Sequence, residues 1–291
     1  MNDRAATADA PGTRADTGTG HPSGQPRRRS PRLRSVLRSL PRPTTTALGR
    51  DAAVIAAGVT AYFGVRGATE GSTAAAVDHA RDVLRLESAV GLDLERRVQA
   101  LVVDLPAVTT VGNWIYIWGH WPAIAAALLW LAGTNRSVFR RMRDAMAVSG
   151  AAGLCVYVTY PVAPPRLAGI GMVDTVSTQS SAYRVLQPPT FANQYAAMPS
   201  LHVGWNLVLG LAVAAAAGGW SLRIIGRSSP ALMAAATIVT ANHFVLDVIV
   251  GAGFGLVGWT VAARLERRRL RRARRAPPSP SPAGLACRAE P

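Results

Sequence analysis

Apolar residues gather in six runs, at roughly 52–66, 109–132, 145–162, 201–220, 229–242 and 245–263. A membrane-crossing helix needs about 20 apolar residues, and several of these runs are shorter. The last two lie in one stretch, 228–263, whose only ionisable side chains are His243 and Asp247. As a single helix that stretch would extend about 54 Å at 1.5 Å per residue, against a hydrocarbon core about 30 Å thick. The pattern therefore predicts two short helices joined near Thr240–Asn242, with Asn242 capping the second. Between the first and second runs, residues 67–108 follow a helical period, with Val83, Leu84, Leu86 and Val90, then Leu94, Val98, Leu101 and Val102. One or two amphipathic helices on the outer surface are expected there, either as a packed lid or as a gate. The expected fold is all-α: a polytopic membrane protein with a six-transmembrane-helix bundle.

Composition supports a membrane protein. Hydrophobic residues make up 49% of the 291 and charged residues 16%, a mix of polar tails and uncharged apolar runs. The net charge of +16 comes entirely from arginine. In a soluble protein it would point to nucleic acid, but the aromatic–basic interleaving of single-strand binders is absent. Instead the arginines crowd residues 26–50, 135–143 and 264–275, with Arg223 and Arg227 between the fourth and fifth runs. The 67–108 interval holds seven acidic and four basic residues. Positive-inside orientation then puts both termini in the cytoplasm, where the Arg-rich tails meet anionic lipid. Residues 1–44 read as a disordered basic tail, 45–265 as the membrane domain and 266–291 as a disordered Arg/Pro-rich tail. The first apolar run reads as an uncleaved anchor. Cys155 and Cys287 are too far apart in setting to imply a disulfide framework.

This topology brings distant motifs to one face. The third run ends outside at Tyr160-Pro161-Val162-Ala163-Pro164-Pro165-Arg166, the fourth starts there at Pro199-Ser200-Leu201-His202, and the last two meet there at His243 and Asp247. Ionisable groups at membrane depth are costly and by default functional. Phosphoryl transfer wants this set. An arginine fork matches phosphate oxygens, one histidine can attack phosphorus and another can protonate the leaving oxygen. Asp247, four residues after His243, shares its helical face and can orient the imidazole. Two other readings stay open. His243 and Asp247 can form a structural hydrogen bond inside a bundle, and two histidines with an aspartate resemble a metal-ligand set, although the hydroxyl and arginine nearby favour an anion.

The Pro-Ser-x-His and His-xxx-Asp pair, with Pro-Pro-Arg upstream, resembles the type-2 phosphatidic acid phosphatase superfamily, and within it the inositol phosphorylceramide synthase-like (inositolphosphotransferase) branch. The resemblance covers roughly residues 50–263. It implies a six-helix bundle and a metal-independent, cofactor-free phosphohistidine mechanism. By motif position it makes His243 the nucleophile, Asp247 its orienting partner, His202 the general acid and later base, and Arg166 and Ser200 phosphate ligands. Asn113, Tyr116 and His120 match a recurrent Asn-xx-Tyr-xxx-His pattern of that branch. They either line the cavity or join helices by hydrogen bonds. Leu201 stands where the phosphatases carry glycine, Ala236 and Thr237 where they carry a Ser-Arg pair, and Thr159 where they carry a lysine. The missing cations favour the synthase-like branch.

The expectation is thus a multi-pass cell-membrane enzyme, a lipid phosphatase or phosphotransferase with an extracytoplasmic site. The alternative is a non-catalytic transporter or binder of anionic lipid head-groups. Neither the lipid nor the acceptor follows from the sequence.

Overall fold

A computed structural model describes residues 45–68, 72–179 and 194–275. The chain divides into two compact units, Met1–Leu48 and Gly49–Pro291. The expected tail 1–44 and residues 276–291 lie outside the described residues.

The regular structure of the described residues is helical, apart from one backbone bridge between Val162 and Ala196. In chain order the helices are α1 (Thr45–Ala68), α2 (Thr73–Val90), α3 (Glu95–Val102), α4 (Pro106–Trp118), α5 (Trp121–Thr134) and α6 (Arg136–Thr159). After a 3₁₀ turn, Pro165–Leu167, come α7 (Thr175–Gln179), α8 (Leu201–Ala216), α9 (Trp220–Val239) and α10 (Val245–Arg275).

Each apolar run became helix, with shifted ends. The run at 109–132 is two helices, α4 and α5, bent by 45° at the break. Helix α10 continues to Arg275, past the expected start of the C-terminal tail. Among the described residues, one helix is long and apolar enough on its own to cross a membrane, Val245–Arg272, whose most apolar 18-residue stretch has mean hydropathy 1.8; α4 and α5 pass the same test together. The other helices are shorter or carry charge inside them, such as Arg223 and Arg227 in α9 and Arg140, Arg141 and Arg143 in α6.

Helix α8 is the centre, packed against α5, α6, α9 and α10 and buried along most of its length. Its crossing with α10 brings backbone against backbone. A Cβ added at Gly251 would collide with the Ser200 carbonyl, and one at Gly204 would lie 2.5 Å from the Gly251 oxygen. Gly255 and Gly258 sit in similarly close contacts, as close packing of α10 requires, but Gly253 faces open space.

The break between α9 and α10 falls where expected, with Ala241 at φ 54. Asn242 does not cap α10. Its Oδ1 accepts from Arg166 Nε (3.0 Å) and its Nδ2 donates to Thr240. The amphipathic helices expected within 67–108 are α2 and α3. Leu86 and Leu101 are 53% and 78% exposed, while the inward face is Ala76, Ala80, Val83 and Glu87 on α2 and Glu95 and Gln99 on α3. The apolar stripe is split: Val83 packs inward with Ala76 and Ala80, whereas Leu86, Val90, Leu94 and Leu101 are exposed, and the carboxyl and amide groups of Glu87, Glu95 and Gln99 are buried.

The two ends of the bundle differ chemically. At one end lie the C-terminus of α6 and the N-termini of α8 and α10. At the other, Asp51 pairs with Arg136 and Arg143, Asp144 with Arg143 and Arg269 (both 2.7 Å), and Glu266 with Arg141 (Nε, 2.8 Å).

Candidate active site

Ser200 precedes α8, and its Oγ accepts from the Val203 amide at 3.4 Å, an N-cap with β-region backbone. That cap starts the helix so that His202 falls in its first turn. The amides of a first turn lack intrahelical acceptors and carry the positive end of the helix dipole. His202 is buried. Its ring packs on Tyr116 (4.4 Å between centroids, 19°) and His120 (4.1 Å, 33°). His120 sits in the break between α4 and α5 rather than on the face of one helix, and Trp205 lies parallel to it at 5.8 Å. One turn beyond His202, Asn206 Nδ2 donates to the Gly119 carbonyl (2.9 Å) and so fixes that break. An apolar cavity of about 210 Å³ opens beside this aromatic layer, with Tyr62, Trp121, Trp205 and Leu154 in its wall.

The His243 and His202 rings stand 5.7 Å apart at 55°. His243 Nδ1 lies 2.8 Å from the Ala197 carbonyl oxygen and 3.5 Å from Asp247 Oδ2. A carbonyl oxygen has no proton to give, so Nδ1 must be the donor. Neutral imidazole then keeps its lone pair on Nε2. The Ala197 carbonyl is itself held in place, because Val162 N donates to Tyr195 O (2.8 Å) and Ala197 N to Val162 O (3.1 Å). Asp247 is fully buried; its Oδ2 accepts from the Phe244 amide (2.9 Å), and among the described residues no hydrogen bond reaches its Oδ1. At 3.5 Å its carboxylate acts on His243 more by charge than by a hydrogen bond. Its backbone carbonyl accepts from the Ser200 amide (3.0 Å), which ties the two histidine motifs directly.

Arg166 lies in the 3₁₀ turn with its side chain 7% exposed. Its amide donates to Ala241 O, its Nε to Asn242 Oδ1 and its Nη1 to Asp174 Oδ2 (2.8 Å). The arginine is therefore fixed against the residues just before His243. A guanidinium carries more N–H donors than these bonds use.

The structure thus brings His202, His243, Asp247, Ser200, Arg166, Tyr116 and His120 to one end of the bundle. Asn113 is placed differently: it exchanges hydrogen bonds with Thr175, joining α4 to α7 (3.1 and 3.2 Å). Sequence reasoning missed Asp174, Asn206 and the Ala197 carbonyl. Asp174 offered only its sign, eight residues after an arginine. Asn206 carried a usable signal, a polar residue one turn after His202 in an apolar run.

Residue 237, where the phosphatases carry arginine, is filled by a fully buried Thr237, whose carbonyl accepts from the amides of Asn242 and His243. Thr159 turns its hydroxyl back to Cys155 O.

A family model described as the PAP2 superfamily matches residues 81–261. No curated protein and no solved structure matches the chain. The match takes in well over half of the sequence and both histidine motifs, and it points to phosphatase or phosphotransferase chemistry: the chain belongs to the PAP2 superfamily.

Proposed function

We propose that the chain is an integral membrane enzyme that takes a phosphoryl group from a lipid phosphate ester through a covalent phosphohistidine, at the extracytoplasmic face of the cell membrane. The observation that carries this reading is the hydrogen bond from His243 Nδ1 to Ala197 O, which leaves the Nε2 lone pair free to attack, beside a second histidine ring 5.7 Å away.

In the first step His243 Nε2 bonds to phosphorus and the ester P–O bond breaks. His202, as imidazolium, gives its proton to the departing oxygen. Neutral His202 then takes a proton from water or a hydroxyl, whose oxygen attacks phosphorus and frees His243. Water as acceptor makes the protein a phosphatase; a lipid or polyol hydroxyl makes it a phosphotransferase. Asp247 stabilises the cationic imidazole. Arg166, Ser200 and the first-turn amides of α8 hold the phosphate oxygens. Tyr116 and His120 line the cavity around His202. No step needs a metal or cofactor.

A lipid substrate fits the surroundings. The apolar cavity beside Trp121 and Trp205 suits an acyl chain. Exposed Trp114, Trp118, Ile224, Ile225, Leu256 and Val257 form the outward surface expected of helices in lipid. In this reading α1, the α4–α5 pair, α6, α8, α9 and α10 cross the membrane, and the ion-paired end faces the cytoplasm. Thr237 and Thr159, in place of two cations, suit a phosphodiester, which carries less charge than a monoester. That favours the inositol phosphorylceramide synthase-like branch.

The test incubates the full-length protein in detergent–lipid micelles with labelled phosphatidic acid and a panel of phospholipid diesters, with EDTA, alongside His243→Ala. Head-group release should survive EDTA and fall at least about a thousandfold in the variant. Equal turnover in both, or none on any substrate while head-groups still bind, would instead indicate a transporter or binder. Arg166→Lys should lower kcat/KM about ten- to a hundredfold, the worth of one charged hydrogen bond, because an ammonium cannot reproduce the fork aimed by Asn242 and Asp174. Unchanged kcat/KM would exclude Arg166 from the phosphate.

A further inference from the structure

Three carboxyl groups close on the first turn of α10. The Phe244 amide donates to Asp247 Oδ2 (2.9 Å), the Val245 amide to Glu95 Oε1 (2.6 Å) and the Leu246 amide to Glu87 Oε1 (2.6 Å). Two of these acceptors come from the outer helices, 150 and 159 residues away in sequence. Glu87 and Glu95 are 0% and 2% exposed. Burying two carboxyl groups is costly, and a single cap residue at the start of α10 would satisfy only one of these amides.

The turn they hold carries the chemistry. Its amides follow His243 closely, and its third residue is Asp247, whose side chain faces His243 and whose carbonyl holds Ser200. The same outer segment grips the other side of the site: Gln99 exchanges hydrogen bonds with the backbone of Val173 (2.8 and 2.9 Å), next to the Asp174 that aims Arg166.

We propose that Glu87 and Glu95 are positioning residues, which act through the first turn of α10 to set where His243 and Asp247 stand relative to Ser200 and His202. This rests on the reading of His243 as nucleophile. It gives the 67–108 segment a role in the reaction rather than that of a cover.

The burial of Glu87 also favours its neutral form. Burial foremost, then the charges of Glu95 and Asp247, push Glu87 up from 4.5 to about 8, against the pull of the Leu246 amide. The charged groups acting on Glu87 from the packed helices are thus both acidic, Glu95 on α3 and Asp247 on α10, the latter beside His243. On α2 itself the neighbouring charges are paired outward, Arg81 with Asp78 and Arg85 with Asp82. A carboxyl whose folded pKa is raised contributes most below its unfolded value, and that contribution is lost as pH rises towards about 8. Above that pH two like charges share one buried site and the grip on α10 loosens.

The experiment follows kcat and KM for ³²P-phosphatidic acid from pH 6 to 9.5, and Tm from pH 5 to 9, in micelles of full-length wild type, Glu87→Ala and Glu87→Gln. The alanine variant should lose about ten- to a hundredfold in kcat, the scale of a misplaced catalytic group, with KM within about twofold. Glutamine can accept from the Leu246 amide and carries no charge at any pH. It should restore kcat at pH 7 to within about threefold of wild type, and remove both the alkaline fall near pH 8 and the decline of Tm with pH. A folded Glu87→Ala with wild-type kcat would overturn the proposal. So would a Glu87→Gln whose kcat and Tm profiles match wild type. If wild type turns over no phosphatidic acid, the reaction reading fails alone; the Tm profiles still test the clamp, and identical slopes in wild type and Glu87→Gln sink it.

Discussion

His202→Gln should lower kcat on phosphatidic acid by about 100- to 10,000-fold, the usual range for losing a general acid or base, while sparing the first step on p-nitrophenyl phosphate. The two substrates differ in their leaving group. The diacylglycerol oxygen must be protonated as it departs, whereas p-nitrophenolate leaves as an anion. Glutamine keeps much of the size of the ring that packs on Tyr116 and His120, but it cannot carry a proton. The variant should therefore release about one equivalent of p-nitrophenolate per protein in a burst, then stall. The stall follows because the same side chain must deprotonate the acceptor. Rapid-quench kinetics with ³²P-labelled substrate should find label on the protein that is stable to alkali and labile to acid, as a phosphorus–nitrogen bond is. Equal losses on both substrates without a burst would remove His202 from proton transfer.

The second large effect is structural. Gly251→Ala should lower stability by about 1–3 kcal/mol, the range for overpacking a filled interior, and Gly251→Val by more. A Cβ there meets the Ser200 carbonyl and lies 2.9 Å from the Ser200 nitrogen, both backbone atoms. Backbone cannot swing aside as a flexible side chain can, so α8 and α10 must separate. The separation would stretch the bond from Ser200 N to Asp247 O and pull apart the two histidine motifs. Loss of Tm and of kcat should come together at Gly251. Gly253→Ala, into open space, should change neither. Comparable losses at both positions would mean that general helix effects, not the crossing, set the sensitivity.

Much of this was legible in the sequence, and the unread parts share a cause. The helices, the break before Asn242 and the convergence of Arg166, His202, His243 and Asp247 followed from apolar runs and charge bias, which report on a chain's relation to water and lipid. The inward face of α2 and α3 did not follow. Periodicity shows that a helix has two faces but not which of them meets the protein. Some apolar residues of these helices face outward, as Leu86 and Leu101 do, and some polar ones pack inward, as Glu87, Glu95 and Gln99 do. The clue was Glu87 continuing the small-residue row Ala76, Ala80 and Val83. The His243 tautomer was beyond reach for another reason: it depends on a backbone carbonyl, at Ala197, and every residue carries one. Asn242 was read locally as a cap, whereas its side chain serves Arg166 across 76 residues.

The α8–α10 crossing also has a consequence for the order in which the molecule opens. With no side chain between the two backbones, water has no path to the Ser200 amide short of prising the helices apart. Native-state hydrogen exchange should find that amide among the slowest in the chain, opening only with the global transition. Amides at the exposed end of α3, near Leu101, should exchange far sooner. The outer helices can then come away and return while the joint between the two histidine motifs stays shut.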